Sequence, residues 1–200
     1  MKTHRNVAFG IVNGLHQILE KNQSPRPYLN KILKQNKKWG SRDRRQISEA
    51  ILDCIRWKRT YEYLGSFTEK SNNYYWELLG IWLLNKGLIF PNWDELSRLK
   101  DLKIFLPLNP KIIERKIRES IPDWLDEFGV KYFDETTWEK EIHALNSKAP
   151  LVLRCNTLKQ NPLKLQNYLK RDFKIDSYRH DEIPEALIIK KHQKLNQNPL

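Results

Sequence analysis

Residues 72–86 constrain the fold more tightly than any other stretch of the chain. Tyr74-Tyr75-Trp76 and Leu78-Leu79-Gly80-Ile81-Trp82-Leu83-Leu84 put large apolar groups on every side of a helix, not along one stripe. A helix apolar all round has to be enclosed by other elements, so the pattern predicts the central helix of a bundle. Gly87 marks its end, because glycine takes the left-handed turn that closes a helix without steric cost. The run 78–84 is far too short for the ~18–20 residues that a membrane span requires.

The neighbouring segments supply the enclosing helices. Residues 3–22 carry Val7, Ile11, Leu15, Ile18 and Leu19 at three- and four-residue spacing, the pattern of a one-sided helix. Ser24-Pro25-Arg26-Pro27 breaks it, and a second helix from about 28 to 37 turns Leu29, Ile32 and Leu33 inward. After the turn Trp39-Gly40-Ser41, with Ser41 as N-cap, a third helix over 42–64 buries Ile47, Ala50, Ile51, Cys54, Ile55 and Leu64. Asn92 with Glu95, and Thr136 with Glu139, resemble capping boxes. Asn109-Pro110 and Ile121-Pro122 place proline at a first helical position. The chain to Asn146 therefore reads as all helix.

Beyond Pro150 the period changes. Leu151 to Asn156 is strand-like, Asn161-Pro162 opens a helix with Leu163, Leu165 and Leu169, and Phe173-Lys174-Ile175-Asp176 alternates. Ala186-Leu187-Ile188-Ile189 is another strand candidate, with a polar stretch from Lys191 to Leu200 after it. The expected fold class is mainly α: a helical bundle over 1–146, then a small α+β subdomain over 147–200 that looks incomplete.

Composition narrows the function classes. At 40% hydrophobic and 11% aromatic residues the chain can bury a core, which excludes global disorder. Asn13, His16 and Gln17 interrupt the N-terminal segment too early for a signal peptide. Two cysteines make no disulfide framework, so a reducing, cytoplasmic setting is expected. The net charge of +12 is uneven: residues 1–60 hold fourteen Lys and Arg against four Asp and Glu, whereas 61–140 hold eleven against fourteen. Such asymmetry points to a polyanionic partner.

The densest cluster runs from Lys31 to Arg45, with Lys34, Lys37, Lys38, Arg42, Arg44 and Arg45 against the single acid Asp43. Lys and Arg bind phosphates by charge and counterion release, and the turn here precedes a helix N-terminus, where backbone N–H groups also favour anions. The alternative is a solvated helix end. Trp39, within the cluster, reads as core before stacking platform. Asp43 reads as a first-turn carboxylate favoured by the helix dipole. Cys54, on an apolar stripe, and Cys155, on the Leu151/Leu153 face of the strand, read as packing residues. Five scattered His and seven scattered Gly give no zinc spacing, no G-x-G-x-x-G and no Walker loop.

Two stretches carry a resemblance. Ser41-Arg42-Asp43-Arg44 followed by Ile51-Leu52-Asp53-Cys54-Ile55-Arg56 looks like the Arg-Asp-Arg helix of NusB-like RNA-binding bundles. Ser120-Ile121-Pro122-Asp123-Trp124-Leu125, then Trp138, then Ala149-Pro150-Leu151-Val152-Leu153-Arg154-Cys155-Asn156-Thr157-Leu158-Lys159, resembles the RsmB/Sun (Fmu) family of S-adenosylmethionine-dependent rRNA cytosine-C5 methyltransferases. The resemblance implies a NusB-like domain, an RRM-like subdomain and a Rossmann-like catalytic domain, the last of which is not found in these residues. Members of that family bind the methyl donor on a Gly-rich turn and attack cytosine with a Cys after Pro or Thr. Here Cys54 follows Asp53 and Cys155 follows Arg154, so neither matches.

The expectation is an RNA-binding, substrate-positioning part of such an enzyme. It would bind no cofactor itself, S-adenosylmethionine belonging to the full-length enzyme. Its partner would be ribosomal RNA, without membrane or metal, and the chain would be monomeric. Arg154 and Asn156 project from the strand face opposite Leu153 and Cys155, either toward RNA or to hold the following turn by hydrogen bonds. A stand-alone NusB-like RNA-binding module and a protein-interaction bundle with an acidic partner are the rival readings.

Overall fold

The computed structural model describes residues 2–67, 70–102, 109 and 112–190. The chain divides into two compact units, Met1–Leu145 and Asn146–Leu200. The fold is mainly helical, with a small antiparallel sheet near the C-terminus.

In the first unit, α1 (Arg5–Leu19), α2 (Pro25–Gln35), α3 (Ser41–Arg56) and α4 (Lys58–Leu64) precede α5 (Tyr74–Asn85). A 3-10 helix (Asp94–Leu99), α6 (Arg115–Arg118), α7 (Asp123–Tyr132) and α8 (Glu135–Asn146) follow. Nine of the twelve residues of α5 are buried, which makes it the centre of the bundle that its all-round apolar sequence requires. It packs on α1, α3, α4 and the 3-10 helix. Ile11, Leu15, Ile47, Ile51, Leu78, Leu79, Ile81 and Leu83 lose all contact with solvent there, each burial stabilising the fold by ~1.5–3 kcal/mol. Gly87, at φ +61°, ends α5: its N–H returns to Leu84 O and that of Leu88 to Leu83 O, both at 3.0 Å.

Several boundaries differ from the sequence expectation. The predicted third helix breaks at Trp57 (φ −101°, ψ 20°) into α3 and α4. A new helix start leaves orphan amides, and Ser120 Oγ accepts that of Arg59 at 3.2 Å. Gly40, not Ser41, is the N-cap of α3, and Asp43 Oδ2 accepts the Gly40 N–H at 3.1 Å. Asp134 starts α8 in place of Thr136, its carboxylate taking both the N–H and the hydroxyl of Thr137. Asn92 caps no α-helix, and Glu95 binds Arg5 instead at 2.5 Å. Pro122 stands at the N-cap of α7, one position before the helix. Pro110 lies outside the described residues.

A second, smaller cluster of Ile121, Trp138 and Ile142, with Leu125 of α7 packed against it, joins α7 to α8. Gly129 sits against the Trp138 ring, where a Cβ would come within 2.1 Å of Cε2.

The second unit runs β1 (Leu151–Arg154), α9 (Pro162–Phe173), β2 (Ser177–Arg179) and β3 (Ala186–Ile189), and its three strands form a sheet of order β1-β3-β2, antiparallel throughout. α9 starts as the Asn161-Pro162 signal predicts, with Asn161 Oδ1 accepting the Leu163 N–H at 2.8 Å. The strand expected at Phe173–Asp176 is displaced. Phe173 continues the Leu165/Leu169 stripe at i+4 and stays helical, Lys174 turns left-handed at φ 56°, and β2 begins only at Ser177.

Candidate nucleic-acid interface

The basic cluster occupies the junction where α2 ends and α3 begins. Its geometry is set by Trp39, which is 8% exposed and built into the bundle core. Gly10 on α1 makes room for this ring, since a Cβ there would meet Trp39 at 2.6 Å. With the indole anchored inward, the flanking Lys37 and Lys38 are left exposed, as are Lys34, Arg42 and Arg45. Asn36 Oδ1 accepts the Lys38 N–H at 3.1 Å and stiffens the turn between the helices.

Arg44 differs from its neighbours. Its guanidinium turns inward and donates to three backbone carbonyls: Trp39 O at 2.8 Å, Asn36 O at 3.1 Å, and Leu33 O. These include orphan acceptors at the C-terminus of α2, which a cation satisfies well. The sequence groups Arg44 with the phosphate-binding candidates, whereas its donors here are committed to the chain itself.

Four of the remaining cations line two shallow grooves. Lys37 and Lys38, with Ile32, Gln35, Asn36 and Trp39, line one of about 630 Å³. Arg42 and Arg45 line another of about 590 Å³, together with Gln46, Glu49, Asp53, Trp82, Lys86 and Leu88. Nothing in the sequence distinguishes Lys86, because a cation at a helix C-cap is explained by the dipole alone. Its Nζ lies 2.9 Å from Asp53 Oδ2, which also accepts the Trp82 Nε1–H at 3.0 Å. Arg45 pairs with Glu49 at 3.1 Å in the open, with 80% and 54% of the two side chains exposed, a pair worth well under ~1 kcal/mol and easily exchanged for another anion.

In the second unit, Arg154 is exposed on β1 opposite Ala186 of β3. Asn156 turns back on its own chain: its Oδ1 accepts the Leu158 N–H at 3.1 Å, and its carbonyl accepts from Lys159 and Gln160. The two share an outward parity along the strand but not a task.

Both thiols are buried. Cys54 is sealed in the bundle with Sγ 3.7 Å from Leu78 O, and desolvation, helped by the adjacent Asp53, pushes its pKa well up. Cys155 Sγ lies 3.3 Å from Gln160 O. Among the described residues no group of three or more His, Cys, Asp or Glu is placed to hold a metal. No helix among them is long and apolar enough to cross a membrane.

Comparison with family models matches residues 121–196 to the ferredoxin-like domain of RsmF/B-like methyltransferases. The β1-α9-β2-β3 order is that with which a β-α-β-β-α-β ferredoxin-like unit begins. The match starts at Ile121 and so takes in α7 and α8, which by their contacts group with the first unit. No curated protein matches the chain.

Proposed function

We propose that this chain is the RNA-binding and substrate-positioning part of an S-adenosylmethionine-dependent rRNA cytosine-C5 methyltransferase, with a NusB-like bundle over 1–146 and an RRM-like unit over 147–200. The observation that carries the reading is the set of exposed cations around the α2–α3 junction, Lys34, Lys37, Lys38, Arg42 and Arg45, in a chain whose C-terminal part matches a methyltransferase-associated domain. Held on α2, on α3 and on the turn between them, these side chains can meet phosphates, and each phosphate contact releases counterions. Arg154 adds a cation from the second unit.

The chain's own residues bind and orient; they do not transfer a methyl group. Methylation at C5 needs a thiolate to add at C6 of the base. Cys54 and Cys155 are both shut away from solvent, and burial holds Cys54 protonated. S-adenosylmethionine would be held by the catalytic part of the full-length enzyme, and ribosomal RNA is the partner.

The test is binding of the full chain to a structured rRNA fragment across a salt series. The logarithm of affinity should fall with the logarithm of salt at a slope of roughly −0.9 per phosphate contacted on a duplex. Joint reversal of Lys37, Lys38, Arg42 and Arg45 to Glu should flatten that slope by about 3 to 4. Unchanged affinity in this variant at ~100 mM salt, the range where phosphate contacts dominate, overturns the interface. Indifference of the wild-type chain to RNA at every salt concentration would point to an acidic protein partner instead.

A further inference from the structure

The groove beside Arg42 and Arg45 has the wrong interior for a phosphate. One wall is a single face of α3, where Arg42, Arg45, Gln46, Glu49 and Asp53 follow at helical spacing. The opposite side is the end of α5 and its cap, with Trp82, Lys86 and Leu88. The cations Arg42 and Arg45 enter from the first two turns of α3, whereas Glu49 and Asp53 stand one and two turns beyond Arg45. Lys86 is already paired with Asp53. A phosphate is therefore held best at the Arg42/Arg45 end, whereas further along the groove Glu49 and Asp53 already engage the cations Arg45 and Lys86.

A nucleobase meets the opposite conditions. It is neutral, flat, apolar on its faces and polar only at its edge. Half-buried Leu88 offers apolar contact, and Asp53 and the Glu49 oxygen not held by Arg45 offer acceptors. Both bonds that Asp53 receives fall on Oδ2, so its other oxygen can take a further donor. Carboxylates select base edges that carry an amino group. The volume of about 590 Å³ is ample for one nucleotide.

We infer that this groove accepts a single unpaired nucleotide whose base bears an exocyclic amino group, with its flanking phosphates on Arg42 and Arg45. The inference rests on the RNA reading above and deepens it. Duplex phosphates alone would make the interface indifferent to sequence and shape, whereas an extrahelical base gives it a feature to find.

The experiment compares three RNA hairpins: one fully paired, one with a single bulged adenosine, and one with a single bulged uridine in the same place. The full-length chain should bind the adenosine bulge about tenfold tighter than the paired hairpin, the scale of one good base-edge contact, and tighter than the uridine bulge. Glu49→Ala, which removes the acceptor, should erase most of the preference for the adenosine bulge over the uridine bulge, the ratio of the two affinities being the readout. Equal binding of all three hairpins by the wild-type chain overturns the base site and leaves the phosphate interface standing. An adenosine-over-uridine preference that survives intact in Glu49→Ala also overturns this groove as its seat. Failure to bind any hairpin overturns the RNA reading itself.

Discussion

Glu77 on the central helix α5 grips Arg98 of the 3-10 helix through two bonds, Nε to Oε1 at 2.8 Å and Nη2 to Oε2 at 3.0 Å. Only 6% of the Glu77 side chain is exposed, against 47% of Arg98. Ser71 Oγ donates to the same carboxylate at 3.2 Å, and the Phe67 ring lies 4.9 Å from the guanidinium. The pair is thus asymmetric: one partner is committed to the interior and the other can reach water.

That asymmetry predicts unequal costs. Arg98→Ala strands a buried carboxylate and should destabilise the fold by about 3 kcal/mol. Glu77→Gln removes the charge that needed compensation and leaves an arginine able to turn outward, so it should cost nearer ~1 kcal/mol. Urea denaturation of the two variants checks this, and equal losses would mean that Glu77 is better solvated than its burial indicates.

Arg44 and Arg45 are adjacent and chemically identical, yet they should behave oppositely. Arg44→Lys forfeits the planar fork that spans Leu33 O, Asn36 O and Trp39 O and should cost about 2 kcal/mol, since charge-assisted bonds to carbonyls are worth ~1.5–3 kcal/mol each. Arg45→Ala gives up one exposed pair with Glu49 and should change stability by less than ~0.5 kcal/mol. RNA binding should show the reverse: Arg45→Ala lowers affinity and the salt slope, whereas Arg44→Lys in the folded protein leaves the slope alone.

What could be read from residue types along the chain follows a physical division. Periodicity suffices where burial is settled within one element, as for the all-round apolar α5 and the Asn161-Pro162 start of α9. It fails where two local signals compete and a distant partner decides. Phe173 and Ile175 alternate like a strand, but Phe173 also completes a helical stripe, and packing on the sheet favours the stripe. Thr136 is a good cap, but Asp134 two residues earlier is a better acceptor and begins the helix first. Arg44 could not be separated from Arg42 and Arg45, because only the folded position of Trp39 aims its guanidinium inward. Lys86 and Leu88 joined a groove with α3 through the Gly87 turn, a juxtaposition across more than thirty positions that no spacing rule captures.

Gly129 should tolerate no side chain. A Cβ would lie 2.1 Å from Trp138 Cε2 and 2.3 Å from Cδ2, and the indole is held in place by its Nε1–H bond to Asp126 Oδ1 at 2.8 Å. Gly129→Ala must therefore push α7 off α8 or rotate the ring, at a cost of ~1–3 kcal/mol. A shift in tryptophan emission, with the loss of stability, would locate the damage at this helix pair; a stable variant with unchanged emission would contradict the close approach.

Glu20 makes stability depend on acid. Hydrogen bonds from Lys70 and Tyr75, the latter at 2.6 Å, lower its pKa to about 2. Its folded value lies below its unfolded value, so the contribution is present above the ordinary glutamate range and disappears as pH falls toward 2. The urea midpoint of the wild-type chain should drop through this window. Glu20→Gln should start lower at neutral pH and fall less steeply below pH ~4, the range in which an unperturbed glutamate titrates; parallel curves for the two proteins would assign the acid sensitivity elsewhere.

Arg154 and Asn156 separate binding from folding within the second unit. Asn156 closes the turn after β1 by accepting the Leu158 N–H at 3.1 Å, the side-chain mimic of a backbone turn. Asn156→Ala should lower the melting temperature of the chain and cost ~0.5–1.5 kcal/mol, the net worth of one such bond, without altering the salt dependence of RNA binding. Arg154 lies exposed on the strand, so Arg154→Glu should leave the melting temperature within error. If this cation meets a phosphate, the salt slope should fall by about 1. A slope unchanged in Arg154→Glu would confine the phosphate contacts to the first unit. A slope changed in Asn156→Ala would mean that the turn itself, and not only the arginine beside it, lies against RNA.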